Sequence, residues 1–221
     1  MNDQESISLR EAIQKRHTLK VLADPDAPWP QPANSLRDKV NDLLKMATNA
    51  PYHKPADKVH FNDPLNSPVP WRFHVVDAAA CRELSERLAD VDVPTGKIRN
   101  MLAAADALVM SNWLPNPADQ DLEFQQFLPT LQNMEHIAAG SAAIQNLLLL
   151  ATEAGWNNYW SSGGVLRSEM VFQWMGIPLN QILLGAIFLF PSATGDADVK
   201  PGSLRDRKGD TSQWSRWVEL S

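Results

Sequence analysis

Apolar and polar positions along this chain switch repeatedly between a helical and a strand period. Ser8-Leu9-Arg10-Glu11 has capping-box spacing with Ile7 just ahead of it, and it opens a helix over residues 9–16. That helix delivers Arg16, His17, Thr18 and Lys20 to a turn before the proline-rich run at 25–32, which cannot continue it. Ser35 with Asp38 opens a second helix, whose Leu36, Val40, Leu43, Leu44 and Ala47 recur on one face; it ends near Asn49. Residues 50–70 hold five prolines and no periodicity, too long for an ordinary connection. They read as a loop over a site.

Residues 71–77 (WRFHVVD) are rich in aromatic and β-branched side chains and predict a strand, followed by a helix over 78–89. A short helix near 96–105 leads to a second apolar strand at 107–113, and 114–129 is a polar excursion. The longest helix is expected over 130–154, apolar nearly all round in its second half, with Gly155 placed to end it. A third strand over 157–162 runs into Ser161-Ser162-Gly163-Gly164, residues 167–176 are helical, and the wholly apolar 182–190 belongs in the middle of a sheet. Without a repeat or a clean linker, this order predicts one α+β domain with helices covering a small central sheet. A helix apolar on all sides needs burial on all sides, which points to a subunit interface; cover by the sheet and its flanking helices alone is the alternative.

Composition narrows the function classes. A chain of 221 residues can bury a sizeable core, and a net charge of −6 argues against nonspecific binding to nucleic acid or an anionic membrane. The most apolar stretch is broken by Gln145, Asn146 and Glu153 and reads as a buried helix, not a membrane span. A single cysteine, Cys81, forms no internal disulfide, and the start MNDQESIS lacks a secretory layout, so the cytosol is the expected compartment. Eight tryptophans suit a core and a planar-ligand site about equally.

Two basic clusters carry the candidate chemistry. Arg16 and Lys20 supply charge to a phosphate, Arg16 with a planar fork of donors, while His17 and Thr18 add shorter hydrogen bonds; the same cations also suit a helix C-terminus. Arg205, Arg207 and Lys208 form the second cluster in a Gly/Asp-rich tail, read either as a solvated charge run or as the other half of one phosphate site. His53, between Tyr52 and Lys54, is placed to donate to a ligand edge or simply to face solvent. His60, His74 and His136 show no metal-ligand spacing, and no dinucleotide-binding glycine pattern, P-loop, nucleophile elbow or zincin motif occurs.

In order, these segments resemble the flavin-dependent nitroreductase family. Arg16-His17-Thr18-Leu19-Lys20 is similar to that family's opening motif, which grips the phosphate of FMN. Ala50-Pro51-Tyr52-His53-Lys54 and Pro70-Trp71-Arg72-Phe73 resemble its Ala-Pro turn and Gln-Pro-Trp-Arg-Phe strand. Gly155-Trp156 through Tyr159-Trp160-Ser161-Ser162-Gly163 resembles the strand and loop beside the flavin ring, and Arg205-x-Arg207 the basic pair that returns to the phosphate. The short, single-domain NAD(P)H branch is the most similar. Here residues 55–69 form an insertion, and Val69 stands at the usual glutamine position.

The resemblance implies a nitroreductase-like α+β fold, with a mostly antiparallel central sheet, a long buried central helix and a homodimer carrying an FMN in each of two interface sites. The whole chain would be one domain, with 192–221 as a C-terminal extension. It implies Arg16, His17, Thr18, Lys20, His53, Trp160, Ser161, Ser162, Arg205 and Arg207 as cofactor-binding residues, with no catalytic side chain and no metal. NADH or NADPH would pass hydride through FMN to a nitroaromatic, a quinone or a similar small-molecule acceptor. Two alternatives are a flavin-binding protein without nicotinamide turnover, the 55–69 insertion acting as a lid, and another flavin reaction such as reductive dehalogenation.

Overall fold

The computed structural model describes residues 7–32, 36–62, 64–116, 122–195 and 197–220. Helix α1 (Leu9–Lys15) opens on the expected box: Ser8 Oγ accepts from Glu11 N at 3.3 Å, and Glu11 Oε2 accepts from Ser8 N at 2.8 Å. The chain then departs from expectation. Residues read as a turn enter strand β1 (Leu19–Leu22), which pairs antiparallel with β6 (Asp198–Pro201) in a two-stranded sheet. Four residues, one of them a lysine, are too few for a period-2 signal, and their partner comes from the far end of the chain.

Helix α2 (Arg37–Ala47) starts without a side-chain cap at Leu36; the expected cap, Ser35, lies outside the described residues. Strand β2 (Trp71–Asp77) leads directly into α3 (Ala78–Arg87), capped by the Asp77 carboxylate, and α4 (Ile98–Ala104) precedes β3 (Ala107–Trp113). Helix α5 (Leu131–Glu153) ends at Gly155, φ +82°, where Trp156 N donates to Ala151 O and Gly155 N to Thr152 O. Both bonds of a Schellman stop are present, and the positive φ is why glycine stands there. Strand β4 (Asn157–Ser161), a 3₁₀ turn (Gly164–Arg167), α6 (Glu169–Trp174) and β5 (Ile182–Phe190) complete the body.

The main sheet has the order β2-β3-β5-β4 and is antiparallel throughout, with β3 and β5 inside. Even the wholly apolar β5 obeys the two-residue period. Phe188 and Phe190 join Leu108, Met110 and Phe172 on the face toward α3, α4 and α6, whereas Ile187 and Leu189 meet Val109, Ile144, Leu147 and Leu148 on the face toward α5 and α2. Two cores therefore sandwich one sheet, and each fully buried leucine or phenylalanine in them contributes about 1.5–3 kcal/mol. Helix α5 lies on the sheet with α1 and α2 beside it, while Leu131 and Met134 near its start stay 71% and 62% exposed. No helix among the described residues is long and apolar enough to cross a membrane.

The 55–69 insertion is held down by one buried cation. Arg72 donates to the carbonyls of Leu65 (3.2 Å), Ser67 (2.9 Å), Val69 (2.9 Å) and Trp71 (2.8 Å). Ala56 N reaches Pro68 O, a 3₁₀ turn (Lys58–His60) buries His60, and His60 Nε2 donates to Pro115 O at 2.6 Å.

Candidate functional site

Strand pairing assembles the basic cluster. Thr18 bridges in parallel to Asn158, which lays the 16–20 segment beside β4, and Gly202 N donates to Thr18 O at 2.8 Å. A Cβ at Gly202 would sit 3.1 Å from the Thr18 Cβ, so a larger residue there would have to push Thr18 aside by a few tenths of an ångström. The 3₁₀ turn Arg205–Arg207 then delivers the Arg205 guanidinium onto the last carbonyls of α1. It donates to Gln14 O at 3.0 Å, to Ile13 O at 3.4 Å and, closest, to Arg16 O. The helix C-terminus is thus capped from the opposite end of the chain.

Arg16 lies beside this cation, with Nη1 3.5 Å from Thr18 Oγ1. Partial burial, and then the Arg205 charge, lower the Arg16 pKa below the ordinary arginine value, although it stays protonated at any physiological pH. Among the described residues, neither Arg16 nor Arg205 forms an ion pair with an acid, and the same holds for Lys20 and Arg207. Like charges held together without a carboxylate make a place where an anion is stabilised. Lys20 extends the positive edge, its ammonium 5.1 Å from the centroid of the Tyr159 ring. His17 and Arg207 are exposed.

The other site residues fall into two groups. Ser161, at the end of β4, is buried, and its Oγ accepts from Gly163 N at 3.1 Å, while Ser162 is exposed. The Trp160 indole lies over Gly185, where a Cβ would stand 2.0 Å from Nε1, so this ring is committed to packing against β5. His53 is exposed on the loop after Ala50-Pro51 and makes no hydrogen bond among the described residues; its neighbour Tyr52 packs edge-on against Trp71 at 5.9 Å. The structure therefore gathers Arg16, Thr18 and Arg205 in direct contact and sets Lys20 against Tyr159, while His53 bonds to none of them. A cleft of about 850 Å³ between Trp29, Trp156, α2 and residues 191–195 contains none of these side chains.

No protein-family model matches the chain, and no curated protein matches it by sequence. Solved structures do match. A nitroreductase-like family protein from Bacillus cereus superposes with a TM-score of 0.65 at 20% identity, covering 97% of this chain and 97% of that one. The chain has the nitroreductase fold. A nitroreductase from Lactococcus lactis in complex with nicotinic acid has a TM-score of 0.63 at 14% identity over 96% of this chain and 100% of that one. A nitroreductase with bound FMN from Bacteroides fragilis has a TM-score of 0.55 at 19% identity over 96% and 100%. The expected α+β class, the antiparallel sheet and the long helix are all present on that fold.

Two contacts in this region carry no signal in the sequence, although Tyr159 itself belongs to one of the motifs. Tyr159 supports Lys20 and Gly202 admits Thr18 only because β1, β4 and β6 come together, a juxtaposition of three distant segments.

Proposed function

We propose that the protein is an FMN-dependent oxidoreductase that takes hydride from NADH or NADPH and passes it to a small acceptor. One observation carries this reading: Arg16 and Arg205 are held together, partly buried, with no acidic counterion among the described residues, where the segment 16–20 meets β4 and the C-terminal turn. The donor set fits a phosphate monoester. Arg16 offers a planar fork, Thr18 a hydroxyl, His17 a ring N–H and Lys20 a point charge, with Arg207 exposed nearby in the same turn as Arg205.

FMN, when bound, supplies the two-electron chemistry, and the residues of this chain bind and orient it. The bound FMN of the Bacteroides fragilis structure and the nicotinic acid of the Lactococcus lactis structure support a flavin with a nicotinamide-sized ring against it. Trp160 contributes through its backbone, since its ring is packed on Gly185, and Ser161 and Ser162 shape the loop beside the ring. His53 reaches a flavin from a second subunit in a homodimer. The acceptor is a nitroaromatic, a quinone or a compound of similar redox character.

The test begins with an absorbance spectrum of the purified protein, with FMN added if none is bound. Flavin bands that bleach with dithionite, followed by NADH or NADPH oxidation coupled to a nitroaromatic or a quinone, are expected. A protein that stays colourless in excess FMN overturns the reading. Flavin uptake without nicotinamide oxidation reduces it to a flavin-binding protein.

A further inference from the structure

Gln125 has a left-handed backbone, φ +69°, which is uncommon for a residue other than glycine or asparagine. Aromatic contacts on both sides fix it there: Phe124 packs edge-on against Phe172 at 5.2 Å, and Phe127 against Trp113 at 4.8 Å. The amide so placed makes three bonds. Its Oε1 accepts from Leu183 N at 3.2 Å and from Arg167 Nη1 at 3.1 Å, and its Nε2 donates to Gln181 O at 3.4 Å. These contacts fall beside a β-bulge, where the β3–β5 register slips between Ser111 and Asn112.

Arg167 passes the constraint on. Its Nη1 also donates to Leu183 O at 2.5 Å, while Nε and Nη2 both donate to the Ser162 carbonyl, at 3.1 and 2.7 Å. That carbonyl is thus pinned by a two-pronged donor, and the next N–H, at Gly163, is taken by Ser161 Oγ. Gly163 has φ +109° and packs so closely on Leu183 that a Cβ would lie 2.6 Å from its Cδ2. The Ser162 N–H is left without a partner among the described residues, at an exposed residue.

We propose that Arg167 and Gln125 are positioning residues that fix the Ser162 peptide so that its free N–H is aimed at the flavin ring. This rests on the FMN reading above. Neither side chain touches the cofactor; both act through the Ser162 backbone. A fixed N–H dipole favours the more electron-rich reduced flavin over the oxidised one, so loosening it lowers the affinity for reduced FMN more than for oxidised FMN.

The test compares wild-type holoenzyme with Arg167→Met, Arg167→Lys and Gln125→Asn. Asparagine tolerates the left-handed backbone but is one methylene too short for the three contacts. In Arg167→Met the ratio of reduced to oxidised FMN affinity falls roughly tenfold, which lowers the midpoint potential by about 30 mV for a two-electron couple. Gln125→Asn moves it in the same direction by less, and Arg167→Lys recovers part of the shift. In FMN-free protein, Arg167→Met speeds amide exchange at residues 162–164. If Arg167→Met does not fold, Gln125→Asn decides. Unmoved potentials in folded variants that retain FMN overturn the clamp alone, whereas a wild-type protein that takes up no FMN overturns the flavin reading and the clamp with it.

Discussion

Arg16 and Arg205 have different jobs within one cluster, and substitutions separate them. Among the described residues the Arg16 side chain bonds only to Thr18, whereas the Arg205 side chain bonds to three carbonyls at the end of α1, so Arg205→Ala loses α1 capping as well as charge. A charge-assisted contact to phosphate is worth roughly 1.5–3 kcal/mol. Replacing both Arg16 and Lys20 by alanine therefore weakens FMN binding on the order of a hundred- to ten-thousand-fold, measured by fluorescence titration, with little change in melting temperature. Arg205→Ala lowers both quantities, and Arg207→Ala, at an exposed side chain, leaves the melting temperature unmoved. Unchanged FMN affinity in the double variant removes the phosphate from this site. The motif that carries the site was legible because Arg16, Thr18 and Lys20 lie within five residues of one another, whereas the support from Tyr159 and Gly202 was not, since it exists only after distant strands pair.

Titration gives a second residue-scale test. Burial, opposed by the Pro115 carbonyl bond and reinforced by the Arg72 charge, holds the His60 pKa below its ordinary value; burial does the same at His74, whose Nε2 lies 2.8 Å from Gln181 Oε1. The unfolded chain therefore binds more protons than the folded one as pH drops below about 6.5. Stability from these groups is complete above that pH and is lost as pH falls through the depressed folded values. Urea midpoints fall between pH 7.5 and pH 5.5, and His60→Gln flattens the slope. An equally steep slope in that variant shifts the effect to other groups.

At the scale of elements, what the sequence reveals depends on whether an element's cause is local. Helix α1 and the stop of α5 are written in Ser8, Glu11 and Gly155, and the apolar strands β3 and β5 in their side chains, so each was legible within a few residues of its observed bounds. Strands β1 and β6 were missed because each is four residues long and finds its pattern only in the other. Residues 55–69 were legible as unusual, and their proline content as irregular, but their anchor was not. Arg72 reads as part of a strand motif, yet its guanidinium satisfies four carbonyls of the insertion and its hinge. Arg72→Met takes the guanidinium from these carbonyls; Leu65 O keeps its bond from Asn62 N, and Leu65 and Ser67 are exposed to water, so about 1–3 kcal/mol of stability is lost. Limited proteolysis then cuts first within 55–69. Equal denaturant midpoints for variant and wild type would show that the insertion holds itself.

At the scale of the whole molecule, the described surface leaves several large apolar side chains exposed. Leu9 and Met46 are exposed along a largely apolar groove formed with Leu149 and Leu150, Leu131 and Met134 are bare at the start of α5, and Trp214, Trp217, Val218 and Leu220 project from the C-terminal segment at 62%, 101%, 66% and 97% exposure. Apolar surface on this scale is a site of association. We propose a C₂ dimer in which the C-terminal segment of each subunit covers the groove of the other, an arrangement that would bury both with one operation. On that proposal the same operation would give the exposed His53 a route to the partner's flavin. Sedimentation of the wild-type protein is expected to give a dimer, and Trp217→Arg combined with Leu220→Asp to give a monomer that loses FMN together with its partner. A monomeric variant that keeps full FMN affinity would sink the shared site, because the basic cluster of one subunit would then suffice.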